Sequence, residues 1–263
     1  MKKSLGQNFL VDGNVVRKIV NAGGLAAGDR VLEIGGGAGA LTAPLLETGA
    51  EVTVIETDRE WVQSLEATVG PHPNLNVVHA DATRVDFSDV LPAGQAVVVY
   101  GNLPYNRAVD ILWRLVQDCP GVRFMVLMFQ KEVAERMTAG PGSRTYGGLP
   151  VKLWPLVTVE RLFDVSPGCF RPRPKVTSSV VRVTPRAQPL LAGDALARFL
   201  RLVQAAFTHR RKTLLNSLER AWPAMVEPAR AELESRGLPL TVRPEQLEPA
   251  VYAAVLARAG EGA

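Results

Sequence analysis

Residues 31–39 read Val31-Leu32-Glu33-Ile34-Gly35-Gly36-Gly37-Ala38-Gly39, a short apolar run that ends in closely spaced glycines. Glycine lets the backbone turn tightly and approach a ligand without a Cβ clash. A helix-period segment, Thr42–Thr48, follows this run. Open α/β sheets bind ligands at the carboxyl ends of their strands, so the stretch predicts a strand, a ligand-binding turn and a helix.

The same alternation of strand and helix patterns continues to Gln130. Apolar runs bounded by glycine, proline or aspartate alternate with segments of helical period, which predicts a doubly wound, mostly parallel α/β sheet. The predicted strands are Glu51–Glu56, Leu75–Asp81, Ala96–Tyr100 and Phe124–Phe129, and the helices between them are Arg59–Val69 and Ala108–Gln117. A helix over Lys131–Thr138, a loop over 140–148 and two strands near Val157–Phe163 and Ser178–Thr184 follow, and these two strands predict an antiparallel extension of the sheet.

The last third of the chain changes character after a Pro/Gly/Ala-rich linker, Pro185–Gly193. We therefore predict two domains, a catalytic α/β domain over residues 1–185 and a small all-helical domain over 186–263. The predicted helices of the second domain are Asp194–Thr208, Arg211–Ala221, Val226–Arg236 and Glu245–Arg258.

Composition narrows the class of protein. The densest apolar run, Phe124–Phe129, is far shorter than the roughly 20 residues of a membrane span, and the start of the chain does not resemble a signal peptide. Two cysteines 50 residues apart and three scattered histidines show no metal-ligand spacing. The sequence therefore predicts a cytoplasmic protein without a metal. The net charge of +4 is a mild indication of a polyanionic partner.

Two acids follow predicted strands at the same edge of the sheet. Glu56 ends the second strand, 21 residues past Gly35, where a carboxylate can accept both ribose hydroxyls of a nucleotide. Asp81 ends the third strand, where it either caps a helix or binds the adenine of a cofactor. Gly35, Gly37 and Glu56 suit a dinucleotide and S-adenosylmethionine equally, so these residues leave both cofactors open.

The fourth strand ends in Asn102-Leu103-Pro104-Tyr105, which predicts methylation of a planar amine. The lone pair of an adenine amine is delocalised, so a catalyst must draw this nitrogen toward tetrahedral geometry and stabilise the charge that develops on it. The Asn102 side-chain carbonyl and the Leu103 backbone carbonyl can accept its two N–H groups. Tyr105 supplies a flat face for a base taken out of its stack, and Phe170 is the candidate for a second wall.

Together these motifs resemble the small-subunit ribosomal RNA adenine N6,N6-dimethyltransferases. The resemblance covers nearly the whole chain. It includes Leu5–Leu10, the glycine loop, Asn102–Asn106, Gln130–Ala134, Pro174–Ser178, Arg210–Asn216 and Arg243–Leu247.

The resemblance implies a Rossmann-like class I methyltransferase sheet, S-adenosylmethionine as the cofactor, and two adjacent adenines near the 3′ end of small-subunit ribosomal RNA as the substrate. It implies an enzyme that acts on an immature small ribosomal subunit and also assists its assembly. Apart from the resemblance, we predict a monomer, since nothing in the sequence demands an oligomer, and no membrane partner, since no apolar run is long enough. The resemblance assigns the cofactor contacts to Asn8, Leu10, Gly35, Gly37, Glu56, Asp81 and Asn102. Basic residues near the base pocket and on the helical domain are candidates for RNA contact, namely Arg171, Arg173, Lys175, Arg210, Arg211 and Lys212.

The chain departs from the family pattern within the glycine loop. The family usually has proline where Gly36 stands and a larger apolar residue where Ala38 stands, so we expect a more flexible loop. Two other functions stay open at this stage, a dinucleotide-dependent oxidoreductase and a non-catalytic module that docks on the ribosome.

Overall fold

A central sheet of seven strands organises the chain. The computed structural model describes residues 8–91, 94–119, 121–209 and 211–260. The sheet has the strand order β4-β3-β2-β5-β6-β9-β7, and a separate two-stranded sheet pairs β1 with β8. The strands are β1 (Phe9–Leu10), β2 (Arg30–Ile34), β3 (Glu51–Glu56), β4 (Leu75–His79), β5 (Val97–Asn102), β6 (Val122–Gln130), β7 (Val157–Val165), β8 (Phe170–Arg171) and β9 (Ser178–Pro185).

Helices connect these strands and form the carboxyl-terminal part of the chain. The first group is α1 (Gly13–Asn21), α2 (Thr42–Glu47), α3 (Arg59–Val69), α4 (Phe87–Val90), α5 (Ala108–Asp118), α6 (Lys131–Met137) and α7 (Gly148–Leu153). The second group is α8 (Gly193–Phe207), α9 (Leu214–Ala221), α10 (Val226–Ser235) and α11 (Pro249–Ala259).

Strands β2 to β6 are parallel to one another, and β9 pairs with β6 in the antiparallel direction. The predicted α/β sheet and its antiparallel extension are confirmed. The order of the sheet reverses between β2 and β5, since the chain moves outward from β2 to β4 and then returns to the other side. Such a switch point leaves a crevice at the carboxyl ends of the strands, which is where open α/β sheets bind ligands.

The described residues divide into two compact units. The first comprises residues 1–134 and 159–185, and the second comprises 135–158 and 186–263. In this division the stretch 135–158 groups with the helical residues after 185. Tyr146 and Val151 of this stretch are buried with Phe199 and Leu218 in a separate apolar core.

The strands of the sheet lie almost wholly in the first unit, so the regular structure of the second unit is almost entirely helical. Within the described ranges, no helix has the length and apolarity that crossing a bilayer requires.

Candidate active site

A cavity opens at the carboxyl ends of β2, β3 and β5, beside the amino-terminal strand β1. Three parts of the chain line it: residues 8–11, the glycine loop at 35–38 and the tetrapeptide at 102–105. The buried acids Glu33 and Glu56 also line it, together with Ala40 and Leu41. All of these residues belong to the first unit.

The glycine loop is shaped by its backbone. Gly35 and Gly37 have φ angles of 78° and 52°, in the left-handed region that side chains disfavour. Glu56 holds the loop in place, because its Oε2 accepts a hydrogen bond from the Gly37 N–H at 3.0 Å. The other oxygen of Glu56 accepts from the backbone N–H groups of Thr57 and Asp58. The carboxylate thus has fixed oxygens at the cavity wall.

Asp81 lies in an adjoining cavity that also touches Gly35, Glu56 and Pro104. Its Oδ1 accepts from both the hydroxyl and the backbone N–H of Thr83, at 2.7 and 2.8 Å. The hydroxyl contact in particular lowers the pKa of Asp81, so the group is an ionised acceptor. The two acids predicted from the sequence therefore line neighbouring parts of one crevice.

Asn102 is oriented by the amino-terminal segment. Its Nδ2 donates to the backbone carbonyl of Asn8 at 2.8 Å. Because the amide N–H₂ group is engaged there, the opposite end of the side chain, the Oδ1 acceptor, is the atom left for a ligand in the cavity. This is the polarity that binding an adenine amine requires.

Leu103 and Tyr105 also line the cavity. The Leu103 side chain is buried, which fixes the backbone of the tetrapeptide. The Tyr105 hydroxyl lies 2.6 Å from the Oγ of Ser178, and burial raises the pKa of Tyr105. The phenol is therefore neutral and is held at its outer end.

Phe170 does not reach the cavity, which differs from the expected second wall. Its side chain is fully buried, it pairs with Leu10 in the β1–β8 sheet, and it packs in the core of the first unit with Val180. Pairing with β1 directs the ring into that core. The aromatic residues that line the cavity within the described chain are Phe9 and Tyr105.

The basic candidates are exposed but fall in different units. In the first unit, Arg171 is exposed at the end of β8, and Arg173 and Lys175 are exposed in the segment between β8 and β9. Arg211 and Lys212 are exposed in the second unit, just before α9. The remaining candidate, Arg210, lies outside the described residues.

Glu33 and Phe9 line the cavity, but the sequence analysis assigned them no role. Glu33 is 1% exposed, accepts a hydrogen bond from the Thr42 hydroxyl at 2.7 Å, and has its pKa raised to about 8, chiefly by burial. Phe9 packs against Trp61, with ring centroids 4.3 Å apart, and covers Gly37. An acid inside an apolar strand was a signal for Glu33, whereas nothing local to the sequence indicates the packing of Phe9.

Comparison with known proteins assigns a family to this arrangement. The model of the family described as ribosomal RNA adenine dimethylase matches residues 1–234. The chain is 41% identical over 253 residues to the ribosomal RNA small subunit methyltransferase A of Pseudomonas fluorescens, covering 95% of this chain and 90% of that protein. It is 45% identical over 217 residues to the protein of the same name from Acidithiobacillus ferrooxidans, covering 82% and 81%.

Solved structures show the same fold over nearly the full chain. The structure of the 23S rRNA methyltransferase ErmE superposes with a TM-score of 0.74 at 29% identity, covering 95% of this chain and 99% of that one. A dimethyladenosine transferase from Plasmodium falciparum superposes with a TM-score of 0.77 at 25% identity, covering 94% and 95%.

Proposed function

The chain belongs to the ribosomal RNA adenine dimethylase family, and from this membership and the geometry of the cavity we infer that it dimethylates the N6 amines of adenines in small-subunit ribosomal RNA. The observation that carries the chemistry is the hydrogen bond from Asn102 Nδ2 to the Asn8 carbonyl, which leaves the amide oxygen for the substrate. Family membership also decides against the oxidoreductase that the glycine loop alone allowed.

The cofactor is S-adenosylmethionine, and the residues present fit it. Left-handed glycines form a loop without side chains, Glu56 can accept ribose hydroxyls, and Asp81 is an acceptor suited to an adenine amine. We propose that Gly35, Gly37, Glu56 and Asp81 hold the cofactor. Asn8, Leu10 and Asn102 contribute the wall opposite the loop.

S-adenosylmethionine supplies a methyl group on a sulfonium, an electrophile that needs no activation. The task of the protein is therefore to prepare the nitrogen. The Oδ1 of Asn102 and the backbone carbonyl of Leu103 accept hydrogen bonds from the two N–H groups of the adenine amine, which draws the nitrogen lone pair out of the ring and stabilises the charge that develops on it. Tyr105 holds the base by stacking once it has left its neighbours.

We propose that the exposed Arg171, Arg173 and Lys175 bind phosphates beside the cavity, and that Arg211 and Lys212 contact RNA from the helical unit. In this proposal the enzyme acts as a cytoplasmic monomer on two adjacent adenines near the 3′ end of the RNA. Its substrate is an immature small subunit, whose assembly it also assists.

Labelled-methyl transfer to under-methylated small ribosomal subunits tests this proposal. We expect the product nucleoside to be N6,N6-dimethyladenosine. We expect Asn102→Ala to lower the transfer rate by a factor on the order of 100, as when one preorganised hydrogen-bonding group is removed from an active site. Asn76→Ala, an exposed asparagine in β4, is the matched control and should keep the full rate.

Two further results would contradict the proposal. One is the absence of methylated adenine when the native protein and the cofactor are both present. The other is thermal stabilisation by NAD without stabilisation by S-adenosylhomocysteine, since that outcome would restore the oxidoreductase hypothesis.

A further inference from the structure

A hydrogen bond joins the tetrapeptide loop to the start of β9. The Tyr105 hydroxyl and the Ser178 Oγ are 2.6 Å apart. Strand β6 lies between β5 and β9 in the sheet, so the Tyr105 side chain reaches over the end of β6 to make this contact. Ser178 is fully buried, whereas Tyr105 is partly exposed and lines the cavity.

Ser178 is itself held firmly in place. The backbone carbonyl of Thr177 accepts from the Lys131 N–H at 2.9 Å, and the antiparallel ladder of β6 and β9 begins there. On the other side, the Ser179 hydroxyl donates to Asp164 at 2.6 Å, and Asp164 also pairs with the Lys131 ammonium at 2.7 Å. The Ser178 hydroxyl is therefore a fixed point for the outer end of Tyr105.

A tyrosine ring held at both ends cannot swing away from its position, because the axis from Cβ to the hydroxyl is fixed. The Cβ of Tyr105 is fixed by the backbone of the tetrapeptide, and the hydroxyl is fixed by Ser178. A stacking surface that is ordered before the base arrives avoids the entropy cost of ordering it on binding. Tyr105 differs here from an aromatic residue that swings freely in a loop.

We propose that Ser178 is a positioning residue for the methylation reaction, which fixes the axis and thus the position of the Tyr105 ring beside the cavity so that it is ready to stack on the target adenine. This inference rests on the proposed function, because it assumes that Tyr105 receives the base. Ser178 does not line the cavity, so its effect passes through Tyr105. It should act on the RNA substrate and not on the cofactor.

The position of Ser178 in the chain adds a second consequence. Segment 171–177, which carries the exposed Arg171, Arg173 and Lys175, leads directly into Ser178. The hydrogen bond therefore ties the base-stacking residue to the segment proposed to bind phosphates, so both are positioned by the same end of β9.

The test compares Ser178→Ala, Tyr105→Phe and the double variant, since each single change removes the same hydrogen bond. Tyr100→Phe is the matched control. Tyr100 is fully buried in β5 of the same unit, and its hydroxyl donates to the Val20 carbonyl at 2.9 Å, away from the cavity. For each variant, kcat/KM for under-methylated small subunits and the Kd of S-adenosylhomocysteine are measured.

We expect Ser178→Ala and Tyr105→Phe each to lower kcat/KM for the RNA roughly tenfold, as the loss of one ordered side chain predicts. The double variant should be no slower than either single variant, because the shared bond is already absent. The Kd of S-adenosylhomocysteine should stay unchanged in all three. Tyr100→Phe should lower the stability of the protein but keep the native kcat/KM.

The inference is overturned if Tyr105→Phe has the native kcat/KM, a result that holds even if Ser178→Ala fails to fold. It is also overturned if the two losses multiply in the double variant, or if Tyr100→Phe reduces kcat/KM equally. In each of these cases the native protein still methylates adenine. Failure of the native protein to do so would instead contradict the proposed function itself.

Discussion

At the residue scale, Glu33 is the most unusual group in the cavity. It is buried at the end of β2, close enough to Glu56 for the charge of that carboxylate to disfavour a second one. Burial is the main reason why the pKa of Glu33 rises to about 8, and the hydrogen bond from Thr42 only partly opposes it. Near neutral pH the side chain is therefore mostly an uncharged acid, which lets the cavity hold two carboxyl groups without repulsion.

This assignment predicts a pH-dependent stability. In the unfolded chain Glu33 ionises near 4.5, so between about pH 4.5 and pH 8 the folded state holds one proton more than the unfolded state. The stabilisation from the neutral acid is fully present below pH 4.5 and falls by at most about 1.4 kcal/mol per pH unit as the pH rises to 8. Because the amide of Glu33→Gln does not titrate, the free energy of unfolding of this variant should rise relative to that of the native protein as the pH increases across this range. Urea unfolding of both proteins at several pH values measures the difference, and a constant difference would show that Glu33 is ionised throughout.

Gly36 shows how a residue that departs from the family pattern is accommodated. A Cβ at this position would lie 2.5 Å from the Leu65 side chain and 2.6 Å from that of Val54. Both neighbours are fully buried. They occupy the space that the side chain of a proline, which the family usually has at this position, would need. The absence of a side chain at Gly36 is therefore matched by close packing beneath the loop. The expected flexibility of this loop stays a prediction.

At the element scale, strand β1 joins the glycine loop to the tetrapeptide. Its Phe9 covers Gly37 and packs on Trp61, and the neighbouring Asn8 carbonyl accepts from Asn102. Strand β8 holds β1 in place through the pairs Phe9–Arg171 and Leu10–Phe170. Strand β1 and the residue that precedes it thus contact both halves of the cavity.

We expect Phe9→Ala to weaken the binding of S-adenosylhomocysteine about three- to tenfold, because an aromatic contact worth about 0.5–1.5 kcal/mol is lost from the wall of the cofactor cavity. Phe9→Leu keeps an apolar side chain over Gly37, so its affinity for S-adenosylhomocysteine should lie between that of Phe9→Ala and that of the native protein. Isothermal titration calorimetry measures both affinities. An unchanged affinity in Phe9→Ala would show that β1 does not support the cofactor site.

The sequence predicted the long elements well, because their apolar patterns are strong. The parallel strands β2 to β6 and the helices α3, α5 and α8 appear within a few residues of their predicted bounds. The elements α1, α4, α7, β1 and β8 were not predicted. Apart from the nine-residue α1, they have two to six residues, which carry little periodicity. The same limit explains Phe170: its neighbours suggested a base pocket, but only its pairing with Leu10 decides that it is buried.

At the scale of the whole molecule, the described residues of the two units pack in separate apolar cores. The core of the first unit underlies the cavity, and that of the second unit joins residues 135–158 to the carboxyl-terminal helices. The sequence indicated the linker after Pro185, because composition changes there. It could not indicate that Tyr146 and Val151 pack with Phe199, since these residues lie about 50 positions apart and Tyr146 falls in the predicted loop 140–148.

Because the cores are separate, we expect a destabilising substitution in one unit to leave the folding and ligand binding of the other unit unchanged. Leu218 is fully buried in α9, so Leu218→Ala should destabilise the second unit by about 2–5 kcal/mol through lost burial and a new cavity. We expect faster amide hydrogen exchange in α8 to α11, unchanged exchange in β2 to β6, and an unchanged Kd for S-adenosylhomocysteine. Ile19→Ala, buried in α1 of the first core, is the comparison and should show the reverse pattern of exchange. If Leu218→Ala accelerated exchange equally in β2 to β6, the two units would unfold as one, and the helical unit would be part of what stabilises the cofactor site.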